Sequence, residues 1–221
     1  MPSRLPCIVL AGSDPFSGAI PTGLKREDML TGYKGAQRLP VKRCLAGELV
    51  ERLKQSDRFE GPILVGPRRI YEGEVDCQVV NAEGDILTTL RTALQFVRAR
   101  FNFSSPVAFS TCDILPTPNE IRQLLDFCYA PHEGSPFWWQ MVEAEPASLG
   151  AGAWKRPYRI RPEVGEPPKN LYPGHLVIAR PSALRIELAN RVLELMYRYR
   201  NREVRKRHFP MIARGLGTLV R

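Results

Sequence analysis

Through its first 125 positions the chain alternates short apolar runs with stretches whose apolar residues recur at helical spacing. Cys7–Leu10, ended by Ala11-Gly12, reads as a buried strand running into a loop. Between 44 and 58 the apolar side chains fall at 45, 46, 49, 50 and 53, the spacing of one helix face. Ile63–Val65, closed by Gly66-Pro67, is a second strand. Cys77–Val80, closed by the Asn81–Gly84 turn, is a third. Ile86–Phe101 places Leu87, Leu90, Leu94 and Val97 on a helical stripe. Pro106–Phe109 is a fourth strand, ending at Ser110-Thr111-Cys112-Asp113. Thr117 or Asn119 stands ready to cap a helix that continues through Leu125. Beyond 131 the rhythm loosens. Phe137–Val142 and His175–Ala179 are strand candidates, and Pro181 opens a final helix through Leu195 and Tyr199.

Strands alternating with amphipathic helices predict an α/β fold: a Rossmann-like three-layer α/β/α sandwich around a mostly parallel central sheet. With 221 residues and no internal repeat or low-complexity linker, one domain over 1–221 is expected. Prolines number 20, and many fall between 131 and 181, so residues 131–173 are expected to be loop-rich. A basic helical tail is expected over 181–221.

Charge narrows the partner more than the fold. Lys and Arg number 32 against 23 Asp and Glu, a net charge of +9. Such a balance favours an anion: a nucleotide, a phosphorylated metabolite, a nucleic acid or an acidic membrane surface. The run from Arg198 to His208 holds six Arg or Lys and one Glu. No nucleic-acid-binding module accompanies it, so nucleic acid is not expected as a partner. No stretch approaches the ~20 apolar residues of a membrane span. The five cysteines form no C-x-x-C, and with three scattered histidines they build no zinc-ligand spacing. Free thiols in a reducing compartment are the simplest account, and a cytoplasmic location is expected.

In an open parallel sheet, ligands bind at the carboxyl ends of the strands. Two loops qualify. The loop Ala11–Lys34 offers glycines at 12, 18, 23 and 32, with Gly35 just beyond, whose backbone can approach phosphates closely, and the cations Lys25, Arg26 and Lys34. It is neither a P-loop nor a G-x-G-x-x-G turn. After the fourth strand comes Asp113, a carboxylate facing the crevice. One carboxylate together with substrate phosphates and water is enough to hold Mg²⁺. Trp138, Trp139 and Trp154 are candidates for an acceptor pocket, and equally for core packing or a partner surface.

LAG at 10–12, the glycine-rich loop, YKG at 33–35, NAEGDILTTLRTAL at 81–94, STCDILPTPNEI at 110–121 and YPGHLVIARPSAL at 172–184 form a constellation. It resembles a nucleotidyltransferase of the nucleotide-diphospho-sugar transferase fold, in the molybdenum-cofactor guanylyltransferase-like branch. The resemblance implies transfer of a nucleoside monophosphate from a nucleoside triphosphate to a phosphorylated small-molecule acceptor, with release of pyrophosphate. It implies Mg²⁺ on Asp113, and catalytic roles for Lys34 and Asp113. Leu10, Ala11, Gly12, Ser13, Lys34, Asn81 and Gly84 would line the nucleotide, with the Gly12–Ser13 amides cradling its phosphates. His175 stands where relatives often present Asn or Asp, and is a candidate second metal or acceptor ligand. The first loop is longer than the compact L-A-G-G type of the family. A glycosyltransferase of the same fold, using a nucleotide-sugar, and a non-catalytic nucleotide-binding relative stay open beside this reading, as does the oligomeric state.

Overall fold

The computed structural model describes residues 4–13, 32–102, 104–144, 158–161, 165–183 and 191. In chain order these form β1 (Leu5–Leu10), α1 (Leu45–Gln55), β2 (Phe59–Gly66), α2 (Arg68–Tyr71), β3 (Gln78–Asn81), α3 (Ile86–Arg100) and β4 (Val107–Thr111). Then come α4 (Pro118–Gln123), continued by π-helical turns over Leu124–Tyr129, and β5 (Phe137–Glu143), β6 (Tyr158–Ile160) and β7 (Lys169–Ala179). The sheet has seven strands in the order β3-β2-β1-β4-β7-β5, with β6 pairing β7. Strands β1 to β4 run parallel, and β7 joins β4 antiparallel.

Alternation along β1 and its neighbours fills two layers of core. Cys7, Val9, Leu64 and Ala108 point to the face covered by α1 and α4, through Ala46, Leu49, Val50, Leu53 and Ile121. Ile8, Leu10, Val65, Val107 and Phe109 point to the face covered by α3, through Ala93, Leu94 and Val97. Strands covered on both sides read as unbroken apolar runs, which is how β1 and β4 announce themselves in the sequence.

The helix starts are chemically explicit. Thr117, not Asn119, caps α4: its hydroxyl accepts from the Glu120 amide while Glu120 reaches back to the Thr117 amide, with Pro118 in the first turn. Asp85 caps α3 by accepting from the Thr88 amide at 2.9 Å. Cys44 caps α1 with its sulfur, which accepts from the Gly47 amide at 3.3 Å.

Three differences from the expected elements have local causes. Helix α2 is a single turn after Pro67, too short for any periodicity to reveal. Strand β7 begins at Lys169, well before His175, because Pro173 and Gly174 disguise a strand that runs through them. The stretch 131–173, expected to be loop-rich, therefore holds β5, β6 and the start of β7 among its described residues. Of the final helix, only a 3-10 turn at Pro181–Ala183 and residue 191 are described. Among the described residues, no helix is long and apolar enough to cross a membrane.

Candidate functional site

In the order β3-β2-β1-β4, the chain leaves β1 toward one edge and returns to β4 on its other side. The carboxyl ends of β1 and β4 thus form the topological switch point where a crevice opens. Four polar side chains from three parts of the chain meet there. Lys34 rides on the 3-10 turn Lys34–Ala36, and Thr111 and Asp113 come from the end of β4 and just beyond it. His175 comes from β7, beside β4.

The Lys34 ammonium lies 3.7 Å from Asp113 Oδ2. Thr111 Oγ1 lies 2.7 Å from Asp113 Oδ1 and 2.7 Å from His175 Nδ1, and that nitrogen is 3.5 Å from Asp113 Oδ1. A hydroxyl has one proton to give, and an ionised carboxylate can only accept. The Thr111 proton therefore goes to Asp113, and His175 Nδ1–H donates to Thr111. Burial by itself would push the Asp113 carboxyl up. Hydrogen bonds from His175 and Thr111, with the charges of His175 and Lys34, outweigh burial and hold it well below the usual carboxylate range. The site thus keeps a fixed anion beside a cation.

Pairing of β5 with β7 explains how His175 is aimed. Trp139 faces Val177 and Met141 faces Pro173, so Gly174, His175 and Leu176 are opposed by Gln140 alone. Such a bulge twists the strand and re-aims its side chains. Gly174 is required in it, since a Cβ there would sit 2.7 Å from Gln140.

The predicted site residues divide. Lys34, Asp113 and His175 are brought together. Leu10 and Ala11 are buried in the core and present only backbone to the crevice; the Ala11 amide donates to Val65 and the Leu10 carbonyl accepts from Cys112. The Ser13 amide, assigned from the sequence to the phosphates, instead donates to the Gly84 carbonyl at 2.9 Å, as does its hydroxyl. Gly84 is thereby committed to holding the loop. Gly12 packs directly on the first turn of α3, where a Cβ would come 2.5 Å from Thr89 Oγ1. Asn81 ends β3, with β2 between it and β1, and its side-chain oxygen accepts from the Arg68 amide to start α2. The glycines at 18 and 23, Lys25, Arg26, Trp154 and the run 198–208 lie outside the described residues.

Thr111 is the residue sequence reasoning passed over. The signal was present: Thr and Asp two apart at a strand's end share one face. Beside the site, between α4 with its π-helical turns and β7, lies a largely apolar cavity of about 760 Å³ whose wall includes Ile114 and His175. Neither Trp138 nor Trp139 lines it: Trp138 packs edge-on against Tyr129, and Trp139 against Tyr158.

No family model matches this sequence, and no curated protein sequence does. Solved structures do. A CMP:2-keto-3-deoxy-manno-octonic acid synthetase complexed with CTP aligns over 89% of this chain and 86% of its own, at 12% identity and a TM-score of 0.57. A 4-diphosphocytidyl-2C-methyl-D-erythritol synthase aligns over 87% and 79%, at 8% identity and a TM-score of 0.51. The fold is that of the nucleotide-diphospho-sugar transferases. A structure described as mannose-1-phosphate geranyltransferase from Thermus thermophilus has a TM-score of 0.57 at 14% identity, with 90% of this chain matching 62% of that one.

A Mg²⁺ ion fits the donor set in one specific sense. Among the described residues no group of three or more His, Cys, Asp or Glu side chains could hold a metal. Asp113 offers one ionised carboxylate with an oxygen fixed by Thr111, and phosphate oxygens and water would have to supply the ion's other ligands.

Proposed function

We propose that the protein is a Mg²⁺-dependent nucleotidyltransferase. It moves a nucleoside monophosphate from a nucleoside triphosphate to a phosphorylated small molecule and releases pyrophosphate. The observation that carries this reading is the meeting of Lys34, Asp113 and His175 at the β1/β4 switch point. A synthetase complexed with CTP shares the fold, which supports a triphosphate as the ligand of that crevice.

In this mechanism an oxygen of the acceptor's phosphate attacks the α-phosphorus. The bond from that phosphorus to the bridging oxygen breaks, and pyrophosphate leaves with its electrons. No protein nucleophile is needed, so the chain's work is positioning and electrostatics. The Lys34 ammonium meets the β- and γ-phosphates. Asp113 stays ionised throughout and would hold the metal, which when bound would neutralise charge on the reacting phosphates. Thr111 fixes the carboxylate's rotamer, and His175 faces the acceptor side. Placement in the molybdenum-cofactor guanylyltransferase-like branch rests on the sequence pattern, and a cytoplasmic location on the free cysteines.

The test is thermal unfolding with each nucleoside triphosphate and Mg²⁺, followed by pyrophosphate release with a panel of sugar and alcohol phosphates. A bound triphosphate at 100 times its Kd adds about 2.7 kcal/mol of stability. No shift with any of the common nucleoside triphosphates would sink the reading. A shift only with nucleotide-sugars would favour the glycosyltransferase alternative.

A further inference from the structure

The turn that carries Lys34 rests on the residue next to Asp113. Gly35 is buried, and a Cβ on it would lie 2.8 Å from Cys112 Sγ, 2.8 Å from Tyr71 Oη and 3.2 Å from Ala46 Cβ. Cys112 is 5% exposed and Tyr71 fully buried, so neither side chain has room to swing aside. Tyr71 Oη has no hydrogen-bond partner among the described residues, so no bond of its own explains why it points at Gly35. The contacts run in step. Gly35 sits on Cys112 as its neighbour Lys34 sits on Asp113.

We propose that Gly35 and Cys112 are positioning residues: the bare Cα of Gly35 lets the turn seat on Cys112 and Tyr71, and that seating sets Lys34 against Asp113. The proposal deepens the reading of Lys34 as a triphosphate ligand and rests on it. An ordinary Cβ contact needs about 3.4 Å against the 2.8 Å available, so a methyl at 35 must lift the turn by a similar margin. Lys34 Nζ, already 3.7 Å from the carboxylate, then leaves ion-pair range. Gly35 has no left-handed backbone angle, so Gly35→Ala probes the contact without backbone strain.

The experiment compares Gly35→Ala in two backgrounds: the native one, and one relieved by Cys112→Ala with Tyr71→Phe. Triphosphate and monophosphate binding are measured with Mg²⁺ by calorimetry, and acetylation of Lys34 by acetic anhydride is followed by mass spectrometry without nucleotide. In the native background Gly35→Ala should weaken triphosphate binding roughly tenfold, the scale of a charge-assisted contact. It should change monophosphate binding less than about twofold, since only the phosphate tail meets Lys34. Lys34 acetylation should rise toward that of exposed Lys42. In the relieved background the same substitution should do neither.

A loss of equal size in both backgrounds, or an equal loss for mono- and triphosphate, would overturn the proposal. Should Gly35→Ala fail to fold in the native background, the relieved triple variant decides. Folding and binding like its parent supports the contact, and failure there refutes it. If the wild type binds no triphosphate, the proposed function falls, and the acetylation rates still judge the seating.

Discussion

Gly12→Ala should destabilise the protein in the absence of any nucleotide. The added Cβ would lie 2.5 Å from Thr89 Oγ1 and 2.9 Å from the Asp85 carbonyl oxygen. Neither neighbour yields easily. Thr89 is fully buried and its hydroxyl donates to that same carbonyl at 2.9 Å, so rotating it away forfeits a bond inside the core. The loop cannot retreat either, because Ala11 is tied to Val65 and Ser13 to Gly84 on either side of Gly12. Overpacking at such a site costs about 1–3 kcal/mol. At about 2–4 °C per kcal/mol for a chain of this size, the midpoint should fall by roughly 2–12 °C. Thermal and urea unfolding read this directly. Gly134→Ala is the control: nothing lies within 4 Å of its Cβ position, so its stability should hold or rise by up to about 1 kcal/mol. A Gly12→Ala protein with wild-type stability and impaired nucleotide binding would refute the packing argument and return Gly12 to a phosphate-approach role.

Asp113→Asn should leave circular dichroism unchanged while turnover falls by about 100-fold or more, the scale of losing one electrostatic partner of the transition state; near-native turnover would remove Asp113 from the metal site. Lys34→Ala should cost triphosphate binding roughly tenfold while monophosphate binding moves less than about twofold, and equal losses would take Lys34 off the phosphate tail. Asp126 accepts from Arg58 Nε at 2.8 Å and from a terminal nitrogen at 2.7 Å, and these hydrogen bonds hold its carboxyl below the usual range against the opposing effect of burial. A depressed folded pKa contributes stability above the unfolded value near ~4 and loses it as pH falls through the folded one. The destabilisation caused by Asp126→Asn in urea titrations should therefore be present at neutral pH and vanish in acid, and a pH-independent gap would refute the assignment.

The parallel half of the sheet was legible because its chemistry is local. A strand buried on both faces must be an apolar run, and α1 and α3 must show one apolar face, so β1 to β4 and these two helices stand out in single windows of sequence, while the single-turn α2 does not. Strand β7 did not stand out, because its identity depends on partners: Gly174 lies in the bulge of its pairing with β5, and Pro173 pairs with Met141 at the edge of that bulge. Asn81 and Ser13 are ambiguous in the sequence for a related reason. A polar residue at a strand's end looks equally suited to a ligand or to a neighbouring turn. The Arg68 amide and the Gly84 carbonyl, which claimed them, lie 13 and 71 residues away along the chain.

The site itself is a product of register. Ser110 on β4 faces Leu176 on the antiparallel β7, so the next residue of one strand, Thr111, comes beside the preceding residue of the other, His175. Nothing near either residue in sequence encodes that meeting. Once it is made, the chemistry constrains which side chain serves at 175. Thr111 has one proton and commits it to Asp113, so its second neighbour must be a donor. A carboxylate at 175 would set two acceptors around one hydroxyl proton, and would face Asp113 as a like charge across the space that the imidazole now bridges at 3.5 Å. Histidine meets both demands through Nδ1–H. The histidine at 175 is thus coupled to Thr111, a pairing that neither residue reveals alone.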